Sequence, residues 1–497
     1  MREPVDWPTC DLLSHRAAAT PDRTAVVDVE SDQRWRYDEF DALVNGTAAR
    51  LSEHVSAEDG RVGLLASTRV DFAAVVHATL RLGLTAVPLN VRLTEAELRA
   101  QAERAGIDLL VAERDTESIA LSVTDAPVLS LDEPAAAAVD PLDPGGGDGG
   151  TVNRARLDRS DEAVVMFTSG TTGEPKGVRL TLGNLVASAT ASAVRLGVAP
   201  GDRWLCCLPM YHMGGLAPVL RSALYGTTLL VQGEFDAVRT GNALTEREAT
   251  GVSLVPTQLT RLLDAGWRPP GSLETVLLGG APASRSLIER ALAADVPVSP
   301  TYGMTETASQ VATATPKQVA EDPETVGQPL VFTDVSIVDA EGDPVGAGET
   351  GEIVVDGPTV TPGYLDDEGA AFGEHGLHTG DVGFVDDDGA LRVLGRADDT
   401  IITGGESVHP EAVAGTLGTH PAVADVAVVG VPDEEWGERI VALVVPAAEE
   451  LAVGDVEGFA REHLADYRVP KEIRLADELP RTASGTVDRQ AVREQFR

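Results

Sequence analysis

The first two thirds of the chain alternate between short apolar runs and longer stretches with helical periodicity. RVGLLA (61–66) has the apolar continuity of a buried strand, and VDFAAVVHATLRLGL (70–84) has the spacing of a helix. The order returns with a strand in AVVMFTSG (163–170), a helix in LGNLVASATASAVRLG (182–197) and a buried strand in WLCCLPM (204–210). Because strands that alternate with helices form parallel sheets, the pattern predicts an α/β fold with two parallel-sheet β-α-β subdomains.

Two breaks in this pattern divide the chain. Residues 134–153 are small and rich in Pro and Gly, which is typical of a surface loop. After about residue 326, short apolar runs end at Glu-Gly and Asp-Gly steps, which favours hairpins and predicts a small β-barrel or a meander. A new set of helix and strand patterns then begins, so we expect a large N-terminal domain over 1–396 and an α+β C-terminal domain over 397–497.

Composition indicates a soluble cytoplasmic protein. The 497 residues exceed what one core serves, and 43% apolar with 24% charged residues is typical of a globular chain. No apolar run approaches the roughly 20 residues of a membrane span, and the N-terminus lacks a secretory pattern. Cys10, Cys206 and Cys207 are too few for a disulfide framework, which favours a reducing cytoplasm.

The charge balance is strongly acidic. The 79 acidic against 39 basic residues give a formal net charge of -40, and the only lysines are Lys176, Lys317 and Lys471. Such a surface repels nucleic acid and anionic lipid, so neither is expected as a partner. An ordinary acidic protein is one interpretation, but so few lysines favour an organism with a salt-filled cytoplasm.

We expect folding and activity to require high salt, because the carboxylates repel one another over about 30 Å at 0.01 M salt but only about 3 Å at 1 M. Thermal unfolding followed from dilute buffer to molar KCl should show the melting temperature rising with salt. Cooperative unfolding and full activity in dilute buffer would contradict this prediction.

The segment FTSGTTGEPKGV (167–178) has the chemistry of a polyphosphate-binding loop. Its glycines allow close approach of the backbone to anionic oxygens, its hydroxyl groups donate hydrogen bonds, and its lysine adds charge. Pro175 stands where a Walker loop has its second glycine, which disfavours a P-loop NTPase. A solvated turn is the alternative for a glycine-rich stretch taken alone. The candidate phosphate ligands are Thr168, Ser169, Gly170, Thr171, Thr172, Gly173 and Lys176.

This loop resembles the hallmark loop of the adenylate-forming superfamily of acyl-CoA ligases, luciferases and adenylation domains. Further segments are similar to that family's motifs and occur in the same order over essentially the whole chain: LPMYHMGG (208–215), LLGGAPAS (277–284), TYGMTETASQ (301–310), TGD (379–381), GRADDTIITGGESVHPEAV (395–413) and LPRTASGTVDR (479–489). The resemblance implies ATP, Mg²⁺ and CoA as cofactor and co-substrates, and small molecules as the only partners, with a homo-oligomer left open.

The resemblance also implies roles for individual residues. Glu306 would hold magnesium, with Lys176, His212, Thr305 and Arg396 completing the catalytic set, and Asp398 would be the hinge of a mobile C-terminal domain. The remaining roles are adenine contacts from Gly280, Ala281 and Tyr302, ribose contacts from Asp381 and Arg396, an acyl pocket formed by His212, Gly303 and Ser309, and a pantetheine tunnel bordered by Gly404 and Gly405. Taken singly, each carboxylate or histidine would be expected at an ordinary surface or structural position.

The mechanism implied has two halves. A substrate carboxylate attacks the α-phosphorus of ATP, giving an acyl-adenylate and pyrophosphate, and the thiolate of CoA then displaces AMP. The first half requires two anions to approach, so positioning and positive charge should supply most of the catalysis. Between the halves, the family's C-terminal domain rotates about the hinge.

The nature of the acid is indicated by one arginine and its surroundings. The segments SLVPTQLTRLL (253–263) and RWLCCLPMYHMGG (203–215) are most similar to those of the o-succinylbenzoate–CoA ligases of menaquinone biosynthesis. Arg221 lies nine residues after His212, where those ligases carry a basic residue near the free carboxylate of their substrate. A guanidinium can bind a carboxylate through two hydrogen bonds. For an isolated arginine, a helix-surface position is the alternative.

Two other functions stay open at this stage. One is an aryl- or acyl-CoA synthetase with a neutral acyl pocket. The other is a non-catalytic nucleotide-binding protein, because Thr486 stands where the family has a lysine that contacts the reacting carboxylate and the α-phosphate. Arg481, Arg489 or Lys471 could compensate for that lysine.

Overall fold

A computed structural model describes residues 10–55, 60–143, 152, 154–168, 175–366, 371–403, 406–433, 436–447, 451–481 and 486–496. The α-helices in this part of the chain are α1 Leu12–Ala19, α2 Tyr37–Ser52, α3 Val70–Arg81, α4 Glu95–Ala105, α5 Glu117–Val123, α6 Leu182–Leu196, α7 Met213–Tyr225, α8 Ala237–Glu246, α9 Pro256–Asp264, α10 Arg285–Ala293, α11 Pro316–Glu321, α12 Pro410–Gly418, α13 Val453–His463 and α14 Arg489–Gln495.

The strands among the described residues are β1 Thr24–Asp28, β2 Arg34–Arg36, β3 Arg61–Leu65, β4 Thr85–Pro88, β5 Leu109–Ala112, β6 Val128–Ser130, β7 Asp140–Pro141, β8 Glu162–Thr168, β9 Lys176–Thr181, β10 Arg203–Cys206, β11 Thr228–Val231, β12 Gly251–Leu254, β13 Thr275–Leu278, β14 Val298–Met304, β15 Ser309–Thr313, β16 Asp334–Val338, β17 Gly351–Asp356, β18 Phe372–Gly373, β19 Gly376–Val385, β20 Leu391–Arg396, β21 Ile401–Thr403, β22 Glu406–Val408, β23 Val423–Asp433, β24 Gly437–Pro446 and β25 Glu472–Leu475.

Two largely parallel sheets form the body of the molecule. One has the strand order β7-β6-β5-β3-β4-β8-β9, with only the β8/β9 pair antiparallel. The other has the order β15-β14-β13-β12-β10-β11-β1-β2, with an antiparallel pair at each end. Helices α2, α3, α6 and α7 contribute apolar side chains to a core shared by the two sheets. The two predicted parallel-sheet subdomains are therefore confirmed.

The strand-rich segment after residue 326 forms an antiparallel sheet. Its order is β16-β17-β19-β18, and β20 also pairs with β19. The predicted hairpins are present, but the pairings among the described strands give an open sheet, and the predicted small β-barrel is not found among them. β20 satisfies one edge of β19 by antiparallel pairing, with no pairing between β16 and β20 to close a ring.

A fourth sheet and three helices follow Arg396. The sheet has the order β22-β21-β24-β23, with β25 parallel to β24, and it packs with α12 and α13 in one apolar cluster and with α14 in another, an α+β arrangement as predicted. Pro410 is the first residue of α12, where its missing N–H costs nothing. The chain passes from the third sheet to the fourth between Arg396, the last residue of β20, and Ile401, the first residue of β21. A single 3₁₀ turn at Ala397–Asp399 lies between these two strands.

Element ends are where the structure and the sequence pattern differ. The predicted helix at 70–84 ends at Arg81 because Gly83 takes a left-handed conformation with φ 73°. The predicted strand at 204–210 ends at Cys206, since Pro209 cannot donate to a sheet. Within the predicted loop at 134–153, Asp140–Pro141 adds a short edge strand, and 144–151 and 153 lie outside the described residues.

No helix in the described part of the chain combines the length and apolar character that a membrane span needs. All three cysteines are free thiols, as predicted. Cys206 and Cys207 are buried, and burial raises the pKa of each thiol, so neither is a reactive thiolate at neutral pH.

Candidate functional site

The two ends of the predicted phosphate loop are held together by an antiparallel pair. Thr168 ends β8, Lys176 begins β9, and the two residues lie directly opposite each other. The predicted ligands between them, Ser169, Gly170, Thr171, Thr172 and Gly173, lie outside the described residues. The structure thus fixes where the loop leaves the sheet and where it returns.

Lys176 and Glu306 both contact the side chain of one tyrosine, Tyr364. The Lys176 Nζ lies 5.2 Å from the centroid of the Tyr364 ring, and the Tyr364 hydroxyl donates to Glu306 Oε1 at 3.2 Å. Glu306 stands in a 3₁₀ turn at Thr305–Thr307, whose carbonyls accept from the N–H groups of Thr361 and Ala308. The structure therefore places a carboxylate beside the only lysine of the phosphate loop.

Tyr364 was not predicted from the sequence. Its segment reaches β9 through a bridge to Val178, a contact between positions far apart in the chain. The one sequence feature that points to Tyr364 is an aromatic residue in the Pro/Gly-rich stretch TPGYL (361–365). Taken alone, that stretch indicates a turn and not a functional residue.

The residues predicted to contact adenine lie at the carboxyl ends of adjacent strands. Gly280, with φ 78°, and Ala281 follow β13, and Tyr302 lies on the neighbouring β14. Ligands of open α/β sheets bind at this edge of the sheet. The predicted adenine-binding residues are thus brought together by sheet topology.

The Asp381 carboxylate accepts hydrogen bonds from two other residues that are predicted to bind the nucleotide. The Tyr302 hydroxyl donates to Asp381 Oδ2 at 2.7 Å, and Arg396 Nη1 donates to Asp381 Oδ1 at 3.1 Å and to the Thr379 carbonyl at 2.9 Å. Burial raises the pKa of Asp381, and burial together with the charge of Asp381 raises the pKa of Tyr302 well above its ordinary value. In this conformation both carboxylate oxygens of Asp381 are occupied by protein donors.

His212 lies at the entrance to α7. It is the residue before the first turn of the helix, its ring packs edge-on against Tyr211 at 4.9 Å between centroids, and the residue is exposed. Desolvation by the surrounding protein and the positive charge of Arg92 lower the pKa of the His212 imidazole below its ordinary value, which favours the neutral ring at pH 7. A neutral ring is compatible with the predicted role at the mouth of an acyl pocket.

Arg221 is buried, contrary to the surface alternative. It lies on α7 with 9% of its surface exposed, and Nη2 donates to Ser188 Oγ on α6 at 3.3 Å. No carboxylate among the described residues pairs with it, and burial lowers the pKa of its guanidinium. The Ser188 hydroxyl in turn donates to the Ala308 carbonyl at 2.7 Å, a link that the sequence analysis missed.

Gly303 and Ser309 face each other across the turn between β14 and β15. A Cβ on Gly303 would lie 1.8 Å from the Ser309 carbonyl oxygen, so no side chain fits there. Ala308 and Ser309 both have positive φ, at 51° and 121°. The predicted acyl-pocket segment therefore has a backbone shape that requires support from its surroundings.

The hinge candidate lies between residues anchored on opposite sides. Arg396 is bonded to Asp381 and Thr379, whereas Asp399 pairs with Arg489 and, at 3.6 Å, with Arg493 of α14. Asp398 is exposed in the 3₁₀ turn between these anchors. Gly404 and Gly405 lie outside the described residues.

Each cation proposed to replace the missing lysine has another contact in this conformation. Arg489 pairs with Asp399 and Glu411, Arg481 Nη2 donates to Asp425 at 2.6 Å, and Lys471 Nζ lies 4.6 Å from the Trp436 ring centroid. Compensation would require one of these contacts to be exchanged for a substrate.

The chemistry around Glu306 fits a magnesium ion that arrives with ATP. No group of three or more His, Cys, Asp or Glu side chains is arranged as a metal cage among the residues described. Mg²⁺ is usually bound by one or two carboxylates together with substrate phosphates and water. Glu306, which shares a contact to Tyr364 with Lys176, is one such carboxylate.

Comparison with known proteins covers nearly the whole chain. The profile of the AMP-binding enzyme family matches residues 13–365, and that of the AMP-binding enzyme C-terminal domain matches residues 413–486. A 2-succinylbenzoate–CoA ligase of Bacillus licheniformis is 38% identical over 483 residues, covering 96% of this chain and 98% of that protein.

Two solved structures from Bacillus subtilis have the same fold. One is o-succinylbenzoate CoA synthetase in complex with the acyl-adenylate intermediate OSB-AMP, with a TM-score of 0.88 and 34% identity over 97% of this chain and 98% of that one. The other is the same synthetase with ATP and a magnesium ion, with a TM-score of 0.87 and 33% identity over 97% of this chain and 98% of that one.

Proposed function

Because the chain belongs to the family of AMP-binding enzymes, we propose that it is an ATP-dependent acid–CoA ligase whose acid is o-succinylbenzoate. The relatives and solved structures named above carry that activity or bind its adenylate and ATP with magnesium. Menaquinone biosynthesis and a cytoplasmic location follow from this proposal.

In the first half-reaction an oxygen of the acid forms a bond to the α-phosphorus of ATP, and the bond to pyrophosphate breaks. Lys176 and the flanking Thr168 hold the phosphates, and Mg²⁺ held by Glu306 would supply positive charge at the phosphate oxygens. In the second half-reaction the CoA sulfur bonds to the acyl carbon and AMP leaves with its oxygen. No protein nucleophile is required in either half.

The remaining roles in this proposal follow the resemblance. Ser169, Gly170, Thr171, Thr172 and Gly173 complete the phosphate loop, and Thr305 and Arg396 stabilise the reacting phosphate. The nucleoside is bound by Gly280, Ala281, Tyr302 and Asp381, and the acyl group by His212, Gly303 and Ser309. Ribose binding by Asp381 would replace its present contact with Tyr302 or Arg396.

The burial of Arg221 is the observation that carries the choice of acid. A buried guanidinium without a carboxylate partner is costly for a protein to keep. o-Succinylbenzoate has two carboxylates, and the one that is not adenylated can pair with this guanidinium through two hydrogen bonds. A neutral acyl pocket, as expected for most other acyl-CoA synthetases, would not require that charge.

Arg221→Ala should raise the Michaelis constant for o-succinylbenzoate about ten- to a hundredfold, because a lost hydrogen bond between charged groups costs about 1.5–3 kcal/mol. The constant for ATP should stay nearly unchanged. Arg195→Ala is a matched control, since Arg195 on α6 also has neutral partners, the carbonyls of Gln328 and Pro329. An unchanged constant for the acid in Arg221→Ala would assign Arg221 a purely structural role.

A panel of acids in the ATP–pyrophosphate exchange assay, in molar salt, separates the remaining alternatives. We expect o-succinylbenzoate to support exchange well and fatty or simple benzoic acids poorly, because those acids leave Arg221 buried without a counterion. A medium-chain fatty acid far ahead of o-succinylbenzoate would indicate another acyl-CoA synthetase. Absence of exchange with every acid would indicate a non-catalytic nucleotide-binding protein.

We also propose that the N-terminal domain ends at residue 396, that the C-terminal domain is 397–497, and that Asp398 is the hinge. The contacts of Arg396 and Asp399 support this position. Arg396 is bound to the preceding sheet and Asp399 to α14, so the backbone between them can change its dihedral angles without breaking either set of contacts. Gly404 and Gly405 would border the passage for the pantetheine arm after the rotation.

A further inference from the structure

We infer that Ser188 is a positioning residue for acid specificity, which holds the guanidinium of Arg221 and the Ala308–Ser309 backbone in one fixed arrangement. This inference rests on the proposed function, because it concerns recognition of the carboxylate that does not react. Ser188 itself touches neither reacting atom in this scheme.

The hydrogen-bond directions at Ser188 leave it little freedom. Ser188 is 3% exposed, and its only hydroxyl proton is donated to the Ala308 carbonyl at 2.7 Å. A hydroxyl that has used its proton can only accept from a further partner. The Nη2 group of Arg221 donates to it at 3.3 Å. The donor bond to Ala308 therefore presents an oxygen lone pair to the guanidinium.

The backbone that Ser188 binds is the one that needs support. Ala308 and Ser309 have φ values of 51° and 121°, which are unfavourable for residues with a Cβ. Such a conformation persists where the surrounding contacts determine it. Ser188 binds the carbonyl of Ala308 from α6, across 120 positions of sequence. The turn also has bonds of its own, from the Ala308 N–H to the Thr305 carbonyl and from the Thr307 hydroxyl to the Ser309 carbonyl, so we expect it to persist when the Ser188 bond is lost.

Arg221 is held on one side only. One of its five N–H donors meets Ser188, and the neighbouring Tyr225 hydroxyl donates to the Ala189 carbonyl on α6. None of the described carboxylates pairs with Arg221, so its other N–H groups have no anionic protein partner. A single neutral hydrogen bond favours one orientation of the guanidinium, and the remaining N–H donors can still bind an anion. Ser188 thereby orients Arg221 without neutralising it.

A carboxylate at the position of Ser188 would have paired with Arg221 and removed its charge from recognition. An alanine would leave the guanidinium free to rotate and the Ala308 carbonyl without this donor. Serine provides one acceptor and one donor without a charge, which fits the requirement on both sides. The specificity for a second carboxylate therefore depends on this pair as well as on Arg221.

The test compares o-succinylbenzoate with the analogue that lacks its non-reacting carboxylate. Ser188→Ala should raise the Michaelis constant for o-succinylbenzoate about tenfold, since a hydrogen bond to a charged group is lost. The constants for the analogue and for ATP should change less than about twofold. Ser188→Cys, which keeps the shape but offers a weak acceptor, should show the same selective loss. Ser192→Ala is the control, because Ser192 is equally buried on α6, one turn away, and contacts Tyr225.

A double mutant provides the decisive readout. In an Arg221→Ala background, Ser188→Ala should have no further effect on the Michaelis constant for the acid, because two residues that act as one unit are not additive. Equal losses for both acids, or full additivity with Arg221→Ala, would overturn the inference and leave a structural role. If the wild-type enzyme does not prefer o-succinylbenzoate over the analogue, the proposed function fails, and the inference fails with it. If Arg221→Ala removes that preference and Ser188→Ala keeps it, the inference alone fails.

Discussion

Glu306→Gln should reduce ATP–pyrophosphate exchange at least about a hundredfold, because a bound metal contributes several kcal/mol of transition-state stabilisation. Glutamine keeps the shape of the side chain, and its amide oxygen can still accept from the Tyr364 hydroxyl, which now donates at 3.2 Å. The change therefore removes the charge that holds the cation and little else. Exchange measured over a range of Mg²⁺ concentrations should show a raised magnesium requirement as well as a lower maximum.

Two measurements give this prediction its controls. Glu321→Gln should behave like wild type, since Glu321 lies on the surface at the end of α11, 4.0 Å from Lys317. Thioester formation from a supplied acyl-adenylate should fall much less than exchange, because the pyrophosphate bond is already broken. A loss of less than about tenfold in exchange would mean that the cation is held by other groups.

Lys471→Ala should lower pyrophosphate exchange about a hundredfold, the effect expected when one transition-state donor worth about 2.7–4 kcal/mol is lost. The prediction follows from our proposal that Lys471 takes the role of the lysine that the family has at the position of Thr486. Its present contact, over the exposed Trp436 ring at 4.6 Å, is worth about 0.5–1 kcal/mol and is easily exchanged. Arg489 would have to leave two carboxylates, Asp399 and Glu411. An ammonium group is also the same compact charge as the residue it replaces.

Lys317→Ala is the matched control for Lys471→Ala, because both lysines are exposed and only Lys317 is paired with a carboxylate, that of Glu321. Loss of exchange in Arg481→Ala or Arg489→Ala, with Lys471→Ala unaffected, would transfer the role to that arginine. An inactive wild type that Thr486→Lys restores by orders of magnitude would refute compensation altogether. The nucleotide-binding alternative would then be favoured.

Regular elements were predictable because their patterns are local. The helix at 182–197 and the strand at 61–66 agree with α6 and β3 to within one residue, since each buries a continuous face or run. Hairpin signals did not decide between a small β-barrel and a meander, because they specify neighbouring pairs, whereas closure depends on whether the first and last strands of the sheet pair.

Residues of the candidate site that stand in sequence motifs could be predicted, whereas those brought into it by tertiary packing could not. Glu306 and Lys176 stand in recognisable motifs, but Tyr364, which joins them, does not. Ser188 is one of two serines in a helix of mostly small residues, and the packing of α6 against the 305–309 turn gives it its partner. The burial of Arg221 likewise depends on how α7 packs, because its sequence offset from His212 is compatible with a surface position.

On the domain division proposed above, the 3₁₀ turn at Ala397–Asp399 also determines the kinetic order of docking by the C-terminal domain. Three Cα steps separate Arg396 from Asp399, so the Cα atoms of these two residues lie at most about 11 Å apart. A domain tethered this closely encounters its docking surface at a high effective concentration, in a step that is unimolecular and insensitive to dilution. Severing the chain within the turn would convert the same encounter into a bimolecular association whose extent falls as the protein is diluted.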